Sequence, residues 1–137
     1  MPTSAQVGDK LPELAIPITA TLVAGGAIAT RDWSLVHHDK AAAQAAGAKD
    51  IFMNILTTNG LIGRFVTDWA GPQALVTDIS IKLGAPNFPG DTMTFSGTVT
   101  EYDEATSATV LEITGQNNMG SHASAIVKVV LLGKDAA

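Results

Sequence analysis

The chain has 137 residues, of which 46% are hydrophobic and 15% charged, a size that fits one domain spanning 1–137 with its own core and excludes a second. It has no cysteine, which excludes disulfides, thiolate metal sites and a cysteine nucleophile and suits a reducing cytoplasm. Eight Lys plus Arg against thirteen Asp plus Glu give a net charge of −5 with no basic run, which argues against nucleic acid as a partner.

In chain order, β-branched Ile16, Ile18, Thr19, Thr21 and Val23 predict a strand over Leu14–Val23, broken by Gly25-Gly26. A second extended piece, Ala27–Arg31, leads into Asp32–Asp39. Lys40–Ala46 reads as a short helix stopped by Gly47. From Ile51 to Ala70 the apolar residues Phe52, Ile55, Ile62, Phe65, Val66 and Trp69 recur at helical spacing, with Leu56 and Leu61 widening the apolar surface, and Gly71-Pro72 ends the helix. A helix apolar on most of its circumference needs cover.

The period then becomes two. Leu75, Thr77, Ile79, Ile81 and Leu83 predict one strand, Met93, Phe95, Gly97 and Val99 a second, Leu111 and Ile113 a third, and Ala123, Ala125, Val127, Val129 and Leu131 a fourth. Turns fall at Asp103-Glu104 and Asn117–Gly120. One long central helix wrapped by a curved antiparallel sheet is the economical solution, an α+β arrangement known as the hot-dog fold. Met1–Leu14 has no basic segment followed by an apolar stretch, and the apolar run Val129–Leu132 is too short to span a bilayer. The expectation is a cytoplasmic chain with no membrane partner, whose apolar excess covers another subunit.

Asp32 and His37 are the residues best suited to chemistry. A carboxylate and an imidazole brought together can hold a water and move its protons across an activated double bond; alternatively, Asp32 caps a turn and His37 is a satisfied polar residue. His38 points the other way, and His122, at the start of the last strand, is expected to face solvent. Free N–H groups at the helix front, Phe52 to Leu56 and including Ile55, could receive an oxyanion. Asn54 and Thr57 are candidates to face that site, and Asn59 to orient the carboxylate; capping and solvent exposure are the alternatives. Arg64 and Asp68 are spaced for a helix-surface ion pair. No metal motif is present.

The stretch Asp32-Trp33-Ser34-Leu35-Val36-His37 resembles the D-x-N-P-aliphatic-H signature of the MaoC-like, (R)-specific enoyl-CoA hydratases, with Ser34 and Leu35 in place of Asn and Pro. Pro89-Gly90-Asp91-Thr92-Met93 is similar to the turn that opens a strand in that family. Ala29–Asp32, Val36–Asp39, Lys49–Phe52 with Asn54–Thr57, and Val66–Pro72 resemble the small subunits of actinobacterial heteromeric steroid side-chain enoyl-CoA hydratases.

The resemblance implies hydration of a trans-2-enoyl-CoA to the 3-hydroxyacyl-CoA, with a bulky steroid acyl group and no cofactor beyond the CoA of the substrate. It places the catalytic pair on Asp32 and His37. It also places Asn54 where the family carries a helix-front glycine whose N–H binds the thioester oxygen. The implied assembly is a heterotetramer with a larger MaoC-domain subunit; the lack of a basic cluster for the CoA phosphates suits a partner that contributes those contacts, and the unpaired sheet edge and apolar surface predict a homodimer when the chain stands alone. A hot-dog acyl-CoA thioesterase and a non-catalytic scaffolding subunit are the competing readings.

Overall fold

The structure is a computed structural model describing residues 2–132, so Met1 and residues 133–137 of the expected single domain lie outside it. Its first strand, β1 (Lys10–Pro17), ends where proline removes a ladder donor. The strand expected to run to Val23 gives way instead to a helix, α1 (Ala20–Ala29). Thr19 is extended and its Oγ1 accepts from Leu22 N–H at 3.0 Å, a side-chain cap that outweighs the strand preference of the β-branched residues around it. Gly25-Gly26 sits inside this helix rather than breaking it. A Cβ on Gly26 would overlap Thr57 Oγ1, so the missing side chain is what lets α1 approach the long helix.

The extended piece expected over Ala27–Arg31 is likewise replaced. α1 ends at Ala29, Arg31 takes a left-handed φ of 56°, and Asp32 N–H donates to Ala27 O at 2.9 Å. A 3-10 turn (Leu35–His37) follows, then α2 (Lys40–Ala45), capped by Asp39 and closed at Gly47 with φ 97°, close to expectation.

The long helix, α3 (Ile55–Ala70), starts four residues later than the apolar spacing suggests. Residues 52 and 53 instead bond to distant backbone, Phe52 N–H to Val36 O at 3.4 Å and Met53 N–H to Asn87 O at 3.1 Å. Gly71, at φ 93°, terminates it. Ile62, Phe65, Val66 and Ala70 are buried, the three larger side chains each contributing about 1.5–3 kcal/mol of burial. Phe65 stacks on Phe95 with ring centroids 5.5 Å apart, and Gly97 makes room, since a Cβ there would lie 3.2 Å from the Phe65 ring. The opposite face is polar, with Arg64 and Asp68 paired at 3.5 Å as their spacing predicts and Gly60 and Thr67 exposed. The expectation of a helix apolar nearly all round is therefore corrected: exposed apolar surface on α3 is confined to its front, at Ile55 and Leu56.

Four strands follow as expected, β2 (Leu75–Leu83), β3 (Thr92–Tyr102), β4 (Ala108–Asn117) and β5 (Gly120–Val130). With β1 they form one antiparallel sheet in the order β1-β3-β4-β5-β2, and α3 lies against it, an α+β arrangement. In β2 a register shift between Val76 and Asp78 exchanges faces. Val76 joins Ile79 and Ile81 against the core and Leu75, expected inside, turns outward; Leu83, also expected inside, keeps the face of Ile79 and Ile81 but is exposed at the end of the strand.

Candidate active site

Three segments meet where α1 ends, the 3-10 turn passes and α3 begins. The left-handed Arg31 and the Asp32–Ala27 bond swing the Asp32 side chain back toward α3. Asp32 Oδ1 accepts from Ser34 N–H at 3.1 Å, and Oδ2 faces both Asn54 Nδ2 at 3.1 Å and His37 Nε2 at 3.3 Å. The Asn54 amide and then the Ser34 N–H are the main influences holding the Asp32 carboxyl below its usual pKa of 3.8, against the opposing effect of desolvation. Asp32 is therefore a carboxylate at neutral pH.

His37 is buried and its Nδ1 lies 2.6 Å from Phe52 O. A carbonyl can only accept, so Nδ1 carries the hydrogen and the neutral ring presents a bare Nε2 to Asp32. The Phe52 ring packs edge-on against the imidazole at 5.0 Å. Two acceptors facing each other at 3.3 Å are reconciled by a proton on Nε2 or by a molecule that gives each a hydrogen, as water can. His38 is exposed, so the expected separation of the two histidines holds, although a 3-10 turn rather than extended chain produces it.

Asn54 is buried and is the N-cap of α3. Its Oδ1 accepts from Thr57 N–H at 3.0 Å and from the Thr57 hydroxyl, while Nδ2 also donates to Thr30 Oγ1 at 2.9 Å. One amide thus caps the helix and holds the carboxylate. That orienting role was expected of Asn59; among the described residues no hydrogen bond joins Asn59 to Asp32, because Asn59 lies a turn further along α3. The Thr57 hydroxyl is spent on Asn54 and packs against Gly26, so it supports the site from behind.

Of the helix-front donors, those of Phe52 and Met53 are already bonded. The N–H groups of Ile55 and Leu56, in the first turn beyond the cap, have no intrahelical partner. Around the pair, Trp33 (66%), Leu35 (55%), Leu56 (49%) and Ile55 (46%) leave large apolar side chains in contact with solvent.

His122 does not face solvent as expected. It is 2% exposed; Nδ1–H donates to Ala85 O at 2.7 Å and Nε2 accepts from Thr58 Oγ1 at 2.9 Å. The β4–β5 register slips here, Gly115 pairing Ala123 but Gln116 pairing Ser121, so the bulged His122 points inward beside Ala123. Thr30, Thr58 and the Phe52 carbonyl also escaped the sequence reading. The Asn-x-x-Thr spacing of Asn54 and Thr57 ahead of an apolar run is the signal that would have placed the helix start correctly.

A family model described as MaoC like domain matches residues 3–120. The chain belongs to the MaoC-like domain family. This MaoC-like chain is 46% identical over 123 residues to the 3-oxo-4,17-pregnadiene-20-carboxyl-CoA hydratase beta subunit of Mycobacterium tuberculosis, a match covering 90% of this chain and 94% of that one. A chain of the ChsH1-ChsH2 complex from Mycobacterium tuberculosis superposes with a TM-score of 0.89 at 45% identity, covering 92% of this chain and 98% of that one. The (R)-hydratase from A. caviae involved in PHA biosynthesis shares the fold with a TM-score of 0.85 at 22% identity, covering 93% and 98% of the two chains. The expected hot-dog fold is thereby shown, and with it a hydratase family for this chain. Among the described residues no helix is long and apolar enough to cross a membrane.

Proposed function

We propose that this MaoC-like chain is the subunit carrying the Asp32–His37 pair in an enoyl-CoA hydratase that acts on a trans-2-enoyl thioester of a steroid side chain. The observation that carries the reading is the ionised Asp32 carboxylate set 3.3 Å from a His37 Nε2 whose tautomer is fixed from behind. Asp32 Oδ2 takes one proton from water while Nε2 holds that water in line. The oxygen adds to Cβ of the enoyl group, and the pair returns one proton to Cα, so one proton enters and one leaves. Between those events charge collects on the thioester oxygen, where the free N–H groups of Ile55 and Leu56 can receive it, aided by the positive end of α3. Hydration transfers no electrons to an acceptor and so requires neither flavin nor nicotinamide.

The steroid substrate and the heteromeric assembly are inferred from the relative at 46% identity and from the matched chain of a two-protein complex. The exposed Trp33, Leu35, Ile55 and Leu56 suit a bulky apolar acyl group enclosed by a partner chain. The sheet edges support pairing on one side. β1 carries Pro12 and Pro17, which blunt it, whereas β2 has no proline and exposes Leu75 and Leu83. We place the partner, a larger MaoC-domain subunit or a second copy, along β2, and the working protein in the cytoplasm.

The test is co-expression with a larger MaoC-domain subunit, followed by assay of steroid-type and short-chain trans-2-enoyl-CoAs. The expected product is the 3-hydroxyacyl-CoA, formed faster from the steroid thioester. Release of free CoA would instead establish a thioesterase, and inactivity toward both thioesters would overturn the hydratase.

A further inference from the structure

The geometry points to Asn87, in the connection between β2 and β3, as a positioning residue for His37. The inference rests on the reading of His37 as half of the hydrating pair. The peptide group between Phe52 and Met53 is bonded at both ends: its carbonyl accepts from His37 Nδ1 at 2.6 Å, and its N–H donates to the backbone oxygen of Asn87 at 3.1 Å. The group is planar, so any rotation that swings the carbonyl away from the imidazole must also break the bond to Asn87. Each of the two bonds also polarises the peptide in the direction that strengthens the other.

The Asn87 carbonyl is itself held in place. The residue is 0% exposed, and its side chain reaches two strands and the segment leading into α3 at once. Its Oδ1 accepts from Asn117 Nδ2 at 2.9 Å, and its Nδ2 points at Met93 Sδ, 3.0 Å away, and at Met53 Sδ, 3.7 Å away. Asn117, the last residue of β4, also donates to Pro86 O at 3.0 Å, fixing the same loop. A buried amide whose donor finds only thioether sulfur is costlier to desolvate than an aliphatic side chain of similar size. Its effect is to tie the loop to the sheet. The chain of contacts runs from β4 through Asn117 and Asn87 to the Met53 peptide and ends on Nδ1 of His37.

The test reads the imidazole directly. In the full chain labelled with 15N at histidine, three residues give signals. In its neutral form, wild-type His37 should show the Nδ1-protonated tautomer. In Asn87→Leu the His37 nitrogens should move toward the tautomer mixture of a free imidazole, while His122, bonded to Ala85 O, should keep its own pattern. Asn117→Ala, at the hairpin end, should shift His37 in the same direction by less, and it decides the matter if Asn87→Leu does not fold. In the assembled enzyme, kcat should fall by about tenfold to a hundredfold with little change in KM, since the loss is one of alignment. His37 shifts that stay at wild-type values in a folded variant would overturn the proposal whatever the stability change. Inactivity of the wild type with the tautomer shifts as expected would count against the hydratase reading and leave the positioning role standing.

Discussion

Asp32 and His37 can act together because their environments impose different tasks. The Asn54 amide and the Ser34 N–H keep the carboxylate charged, while the Phe52 carbonyl keeps Nε2 free of hydrogen in the neutral ring. His38 is exposed and turned away, so His38→Ala should leave kcat within about twofold of wild type, whereas loss of a true acid or base costs about a hundredfold or more. Steady-state kinetics of the two histidine variants side by side checks this; equal losses would mean that the wrong histidine has been assigned. Spacing alone left Asp32 as a cap and His37 as a satisfied polar residue open; the resemblance of Asp32–His37 to the family signature is what singled out the pair, and the structure sets the two side chains 3.3 Å apart. The support was not legible. Asn54 reaches Thr30 across 24 positions and Phe52 reaches His37 across 15, contacts that exist only once α1 and α3 have met.

Among the elements, the four later strands were legible from alternation and α3 from its helical period. α1 was missed because Ile18, Thr19 and Thr21 favour strands locally, whereas the Thr19 cap and the close approach of α3 at Gly26 decide the outcome. The register shifts at Val76/Asp78 and Gly115/Gln116 defeated strict alternation and turned His122 inward. That burial has a consequence for stability. Desolvation lowers the pKa of folded His122 from its ordinary 6.5, so on acidification the unfolded chain takes up the proton first. Stability from this group is complete above about pH 6.5 and is lost as the pH falls toward the folded-state value. Tm measured from about pH 8 to pH 5 should decline below about 6.5, and His122→Gln should be less stable at neutral pH but flatter across that window. A slope unchanged by the substitution would contradict the assignment.

At the scale of the whole molecule, the polar outer face of α3 removes one reason for association, but two others remain. The β2 edge lacks the prolines that blunt β1, and the apolar side chains at Trp33, Leu35, Ile55 and Leu56 stand beside the candidate site. The chain prepared alone should therefore pair with itself, and light scattering coupled to gel filtration should give about twice the chain mass at micromolar concentration. A stable monomer under those conditions would contradict it. Such a homodimer should turn over bulky thioesters poorly until the larger subunit replaces one copy.

In the proposed reaction the carboxylate and the imidazole together add water to an enoyl thioester. Its most direct measurement is single-turnover hydration of a trans-2-enoyl-CoA by the assembled enzyme, wild type against Asp32→Asn, with binding of a saturated acyl-CoA measured in parallel. The substitution preserves the shape of the side chain and removes its charge. Hydration should slow by at least about a hundredfold while the saturated ligand binds as before. Near-wild-type hydration by the folded variant would contradict the account.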